Sequence, residues 1–310
     1  MPNLLDIKDR ITSIKNTQKI TRAMKMVAAA KGKKSEKRVK AARPFAKAIA
    51  QAFSRALASS DGDFSGAGLK IERAIDNYPE LLKTRYIKTV GLLVITSNKG
   101  LAGAYNANVI RYALNKIAAL KEQGLGVKVF VVGQKGYSSL RRKEASAGFE
   151  ILKKYTSISG EPNSSNAIVI AEDMASALVG GVIDNIEVIT TRFKNMMSYK
   201  VSDWQVLPVE KTEMEAEAGV HTIDPLMLFE PDMNHILQKL VPMYISNIIY
   251  QALLEAVASE LAARMMAMSS ATNNADEMIR TLTIDYNKVR QTAITGEILE
   301  VVSGADALKK

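Results

Sequence analysis

The 310 residues include no cysteine. Disulfides, thiolate metal sites, cysteine nucleophiles and thiol switches are therefore excluded. Histidine is nearly absent: the chain has two, His221 and His235. Neither has the H-x-x-x-H spacing of a metal site, so each reads as a surface or capping residue. No G-x-S-x-G elbow occurs, and Ser/His/Asp catalysis has little to draw on. Aromatics make up 6% of the chain, with one tryptophan. Together with abundant alanine and methionine, this favours long helices over an aromatic-rich β core. No uninterrupted apolar run of about 18 residues suggests a membrane span. The opening MPNLLDIKDR has no apolar signal core, and Asp6 and Asp9 come too early for an acid-poor presequence. The chain is expected to stay on the side of the membrane where it is made.

The positive charge is concentrated at one end. Residues 1–58 hold fifteen basic and three acidic side chains, a net of +12 against +10 for the whole chain. The remainder is close to neutral. A basic helix can be a solvated face, a nucleic-acid contact or a surface for an acidic protein. The aromatic interleaving that supports single-strand stacking is missing, since Phe45 and Phe53 come late in the segment.

Residues 3–58 read as one long helix. Ile7, Ile11 and Ile14 recur at 4-3 spacing, and Phe45, Ile49, Ala52 and Ala56 do so later. Between them the stripe is expected to pass through Ile20, Met24, Val27 and Ala28–Ala30. Gly32 and Pro44 are possible weak points. SSDGDFSGAG reads as a loop, and IERAIDNYPELLKTR as an irregular connector or a short helix ended near Pro79. From about 86 to 210, short apolar β-runs alternate with helical segments, closing on the edge strand SYKVSDWQVLPV. This predicts an α/β domain with an open, largely parallel, Rossmann-like sheet. After a polar connector over 211–232, helix resumes from about 233, with Pro242 early in it. Leu254, Val257, Leu261, Met265 and Met268 form one stripe. Ile279, Leu282, Tyr286, Val289 and Ala293 form a 3-4 seam. A helix over 243–303 would span roughly 90 Å, too long for a small domain to cover. The expected arrangement is an antiparallel coiled coil of the two terminal helices, projecting from the central domain. A compact bundle of folded-back helices is the alternative.

Gly100 and Gly103 in SNKGLAG, and Gly133 and Gly136 in VVGQKG, follow β-runs. Such turns can cradle phosphate, but neither is G-x-G-x-x-G and no G-x-x-x-x-G-K-[ST] occurs. Tight turns are the better reading, and no nucleotide or other cofactor site is expected. The chain end ITGEILEVVSGADALKK carries Ile294, Ile298, Leu299, Val301 and Val302. At the tip of a rod these apolar side chains need cover from a partner.

Several of these stretches resemble the gamma family of F-type ATP synthases. They are SIKNTQKITRAMKMVAAAK from Ser13 to Lys31, SNKGLAGAYN, ASELAARMMAM from Ala258 to Met268, Leu228–Asp232, and Ile294–Ala305. The similarity runs over nearly the whole chain and is weakest over 59–85. The cysteine-bearing insert of plant chloroplast members is absent. The resemblance implies a non-catalytic rotor shaft at the cytoplasmic face of a bacterial plasma membrane. It would turn inside a hexamer of alternating alpha and beta subunits, without nucleic acid or small-molecule substrate. It implies that Arg290 and Gln291 engage a loop of a beta subunit, and that Met24, Arg264 and Gln291 influence coupling. Ile294, Ile298, Val301 and Val302 would run in an apolar bearing. Phe229, Glu230 and Pro231 would lie at the foot, where the epsilon subunit and the membrane ring of c subunits dock. The competing readings are a nucleic-acid-binding coiled coil and a small-molecule enzyme with a pocket at the carboxyl ends of its strands.

Overall fold

The computed structural model describes residues 4–59, 72–83, 85–158, 161–208 and 232–307. Helix α1 spans Leu4–Ser59 and helix α7 spans Met233–Ala307. Between them come α2 (Tyr78–Leu82), β1 (Thr89–Ile95), α3 (Tyr105–Glu122), β2 (Gly126–Val132), α4 (Gln134–Arg141) and α5 (Glu144–Ala147). They are followed by β3 (Glu150–Tyr155), α6 (Ser164–Val179), β4 (Asn185–Asn195) and β5 (Ser198–Leu207). The chain divides into two compact units: Met1–Ala29 with Arg264–Lys310, and Ala30–Ala263.

The second unit is built on a five-stranded sheet of order β3-β2-β1-β4-β5. All neighbours are parallel except the β4–β5 hairpin, as the alternating pattern predicts. The central strands bury both faces, so they read as continuous apolar runs. Leu93 and Ile95, Phe130 and Val132, and Ile186 and Val188 point to one face, where α6, Ile49 and Phe53 of α1, and Leu237–Ala256 of α7 cover them. Val90, Leu92 and Val94, with Val127, Val129 and Val131, point to the other, under α3. Part of α7 is apolar enough to pass for a membrane span, with a mean hydropathy of 1.3 over 18 residues. Half of that window is buried within the chain, consistent with its place over the sheet.

One local expectation is corrected here. Pro79 lies in the first turn of α2 and so opens that helix, where a missing N–H costs nothing. Pro44 and Pro242 lie inside α1 and α7, and neither ends its helix.

The first unit is an antiparallel helix pair. Gln18 donates to Asp276, and the hydroxyls of Thr21 and Thr272 lie 3.0 Å apart. One helix thus advances as the other retreats. The least exposed positions on α1 are Leu4, Ile7, Ile11, Ile14, Gln18, Thr21, Met24 and Ala28. They are spaced three or four apart, close to the coiled-coil period. On α7 the matching series is Met268, Thr272, Ala275, Ile279, Leu282, Tyr286, Val289 and Ala293. The predicted α7 seam is therefore correct. The α1 stripe holds at Ile7, Ile11, Ile14, Met24 and Ala28 but not at Ile20 and Val27, which are 60% and 55% exposed. Gln18 and Thr21 hold the seam instead, because polar groups there find partners across the helix pair. Phe45 is also exposed, and Phe53 takes the buried place.

On the α3 side of the sheet, Asp203 accepts from Tyr112 (2.6 Å) and Lys116 (2.8 Å), and Lys116 also pairs with the buried Glu187 (2.9 Å). Burial opposes ionisation of Asp203, but the hydrogen bonds from Lys116 and Tyr112 together outweigh it and hold the carboxyl below its usual range. A lowered folded pKa contributes stability above the unfolded value and loses it as pH falls through the folded one. The stability difference between the native chain and Asp203→Asn should therefore be full at neutral pH and shrink below about pH 4. Urea titrations across that range read this directly, and a difference that grows toward acid would contradict the assignment.

Candidate functional site

The candidate surface is built on the helix pair of the first unit. The hydrogen-bonded register puts Leu4 level with about Val289 or Arg290. Helix α7 continues to Ala307. Its final turns therefore have no described α1 residue beside them. Ile294, Ile298, Leu299, Val301 and Val302 are 47%, 58%, 60%, 71% and 52% exposed. Successive helical residues are about 100° apart, which sets Ile294, Ile298, Val301 and Val302 within an arc of about 120°. Arg290 and Gln291, both exposed, stand at the start of the same arc. The helix thus presents one apolar stripe headed by a guanidinium and an amide. Such a face suits a protein partner with an apolar lining and an acceptor near its rim.

Met24 and Arg264 lie lower on the same pair, and both are half-buried. Arg264 is engaged within the chain. Exposed basic side chains Lys8, Lys15, Lys19 and Arg22 flank the α1 seam. Phe229, Glu230, Pro231 and His221 lie outside the described residues.

The glycine turns of the sheet have a different role. The first N–H groups of α4 are already taken: Gln134 donates to the Asn98 side chain (2.8 Å), Lys135 to the Ser97 carbonyl (3.1 Å) and Gly136 to the Thr96 hydroxyl (2.9 Å). A phosphate would have to displace these internal partners. Gly133, at φ +96°, and Gly103, at φ +55°, serve the tight-turn geometry.

Among the described residues, no group of three or more His, Asp or Glu side chains is arranged to hold a metal. The residues that sequence reasoning missed are Arg43 and Glu255, which meet at 3.1 Å with Glu255 almost wholly buried. A lone Glu on an apolar helical face was the available signal.

The sequence profile of the ATP synthase family matches residues 3–308. The chain is 41% identical to the ATP synthase gamma chain of Synechococcus sp. (strain JA-3-3Ab), over 99% of this chain and 100% of that one. It is 42% identical to that of Gloeothece citriformis, with the same coverage. This chain belongs to the ATP synthase gamma-chain family. Solved structures agree. A central-stalk and c-ring structure of the Tetrahymena thermophila mitochondrial ATP synthase contains a chain 28% identical to this one, with a TM-score of 0.55, covering 81% of this chain and 99% of that one. A chain of the Euglena gracilis mitochondrial ATP synthase shares the fold with a TM-score of 0.64 at 17% identity, covering 98% and 94%.

Proposed function

We propose that the chain is the non-catalytic central shaft of an F-type ATP synthase, at the cytoplasmic face of a bacterial plasma membrane. Residues 1–58 and 233–310 supply the shaft helices, 86–210 the central α/β domain, and 59–85 and 211–232 the connectors. The observation that carries this reading is the pairing of the two chain ends, with an apolar, uncovered stripe where α7 outruns α1. A stripe of that kind needs a sleeve, and the hexamer of alternating alpha and beta subunits supplies one.

Function then follows from asymmetry. A shaft with different side chains on each flank contacts the surrounding catalytic sites unequally, so each orientation stabilises different states of those sites. Turning it couples ion flow through the c ring to ATP synthesis or hydrolysis in the beta subunits. Arg290 and Gln291 engage a beta-subunit loop, and Met24 and Arg264 tune coupling. Ile294, Ile298, Val301 and Val302 form the bearing. Phe229, Glu230 and Pro231 belong to the foot that meets the epsilon subunit and the ring. The basic flank of α1 faces acidic segments of the beta subunits.

Mixing the chain with isolated alpha and beta subunits tests this. A stable ATPase complex is expected. In that complex Arg290→Ala should lower turnover by roughly fivefold, the equivalent of about 1 kcal/mol of lost contact. Retention on DNA without assembly would turn the reading toward nucleic acid, and unchanged turnover would remove Arg290 from the contact.

A further inference from the structure

The β4–β5 hairpin outruns its own sheet. β1 pairs with β4 only from Asn185 to Ile189. Beyond Ile189, the flank of β4 that faced β1 has no strand beside it. Backbone groups there still need partners. Side chains from α1 and α7 provide them, all within the second unit.

Two contacts do this, both at Phe193, and a third ties the strand to α7 through a side chain of its own. Thr190 donates its hydroxyl to the Ala252 carbonyl of α7 (3.1 Å). At Phe193 both peptide groups are claimed: its N–H donates to Glu255 of α7 (3.0 Å), and its carbonyl accepts from Arg43 of α1 (2.7 Å). Arg43 also donates to the other Glu255 oxygen (3.1 Å), and Gln251 donates to that same oxygen (3.3 Å). Guanidinium, carboxylate and one residue of strand backbone thus close a ring joining three elements. Around it Phe193 packs with Val39, Leu254, Ala258 and Ala262. Further along, the hairpin turn sets Met196 on Gly32 of α1. A Cβ at Gly32 would lie 2.5 Å from the Met196 methyl carbon, so a side chain there would push the flexible Met196 tip aside.

We propose that this overhanging hairpin is the joint that makes the sheet and the two long helices of this unit turn as one body, with Glu255 as its positioning residue. The inference rests on the rotor reading above. The Glu255 side chain is 1% exposed while that of Arg43 is 41% exposed. The carboxylate is therefore the fixed centre and Arg43 the clasp over it. A buried carboxylate that loses one donor keeps its desolvation cost. The joint should loosen when either partner changes, without a change in any contact to the hexamer.

The test uses the complete ATP synthase carrying this chain, reconstituted in vesicles. ATP hydrolysis and the ATP-driven membrane potential are measured together, the latter with a potential-sensitive dye that responds to any transported ion. Glu255→Gln and Arg43→Ala should each lower the initial charge movement per ATP hydrolysed by about threefold or more. Arg43→Lys, which keeps the charge, should recover part of that loss. Lys34→Ala, which breaks an exposed pair with Glu161, should leave the ratio unchanged. A merely structural role lowers the amount of assembled enzyme and reduces both rates in proportion. An unchanged ratio in assembled Glu255→Gln and Arg43→Ala enzymes therefore overturns the proposal, and so does failure of both variants to assemble. Failure of the native chain to assemble would instead overturn the rotor reading.

Discussion

A chain cut after Ala293 is expected to keep its fold and lose most of its hold on the alpha/beta hexamer. The removed residues include Ile294, Ile298, Leu299, Val301 and Val302, each about half exposed or more in the isolated chain. Side chains that are already wet contribute little to folding, so the thermal transition of the isolated chain should barely move. In the complex they lose water. Completing the burial of two such side chains alone contributes about 1.5–3 kcal/mol, or roughly 10- to 100-fold in affinity. Replacing Ile298 and Val301 by glutamine removes that contribution while keeping good helix formers. Circular dichroism melting of the free chain and gel filtration of the mixture with alpha and beta subunits separate the two effects. A large fall in melting temperature of the free truncated chain would mean the stripe is a folding element, and the bearing assignment would be lost.

Gly133→Ala should destabilise the chain by about 3 kcal/mol or more, since strained backbone and overpacking each cost on the order of 1–3 kcal/mol. The residue sits at φ +96°, where side chains other than glycine are strained. An added Cβ would also lie 2.4 Å from the Thr96 carbonyl oxygen, which is fixed backbone. Gly124→Ala is the control. It too has positive φ, at +78°, but its Cβ would meet nothing within 4 Å. That change should cost only about 1 kcal/mol, the conformational part alone. Urea denaturation of the two variants gives the comparison. Equal losses would show that the close approach of the β2–α4 turn to β1 carries no energetic weight.

The sequence by itself determined what depends on local periodicity. Strands β1, β2 and β4 are readable because they bury both faces and show as apolar runs, and the α7 seam from Ile279 to Ala293 because its spacing holds over four intervals. The two end motifs, Ser13–Lys31 and Ile294–Ala305, identified the family. Only the tertiary structure decided which residues meet. Gln18 and Thr21 displaced Ile20 and Val27 from the α1 seam because their partners, Asp276 and Thr272, lie more than 250 residues away. Phe45 lost its place to Phe53 because the sheet covers one side of α1 there, and periodicity gives a stripe's spacing but not its direction. Arg43 looked like one more charge on a basic helix until β4 ran past β1 and left a peptide in need of a donor. Such long-range pairings answer needs that another part of the chain creates, and no window of sequence contains both the need and its answer.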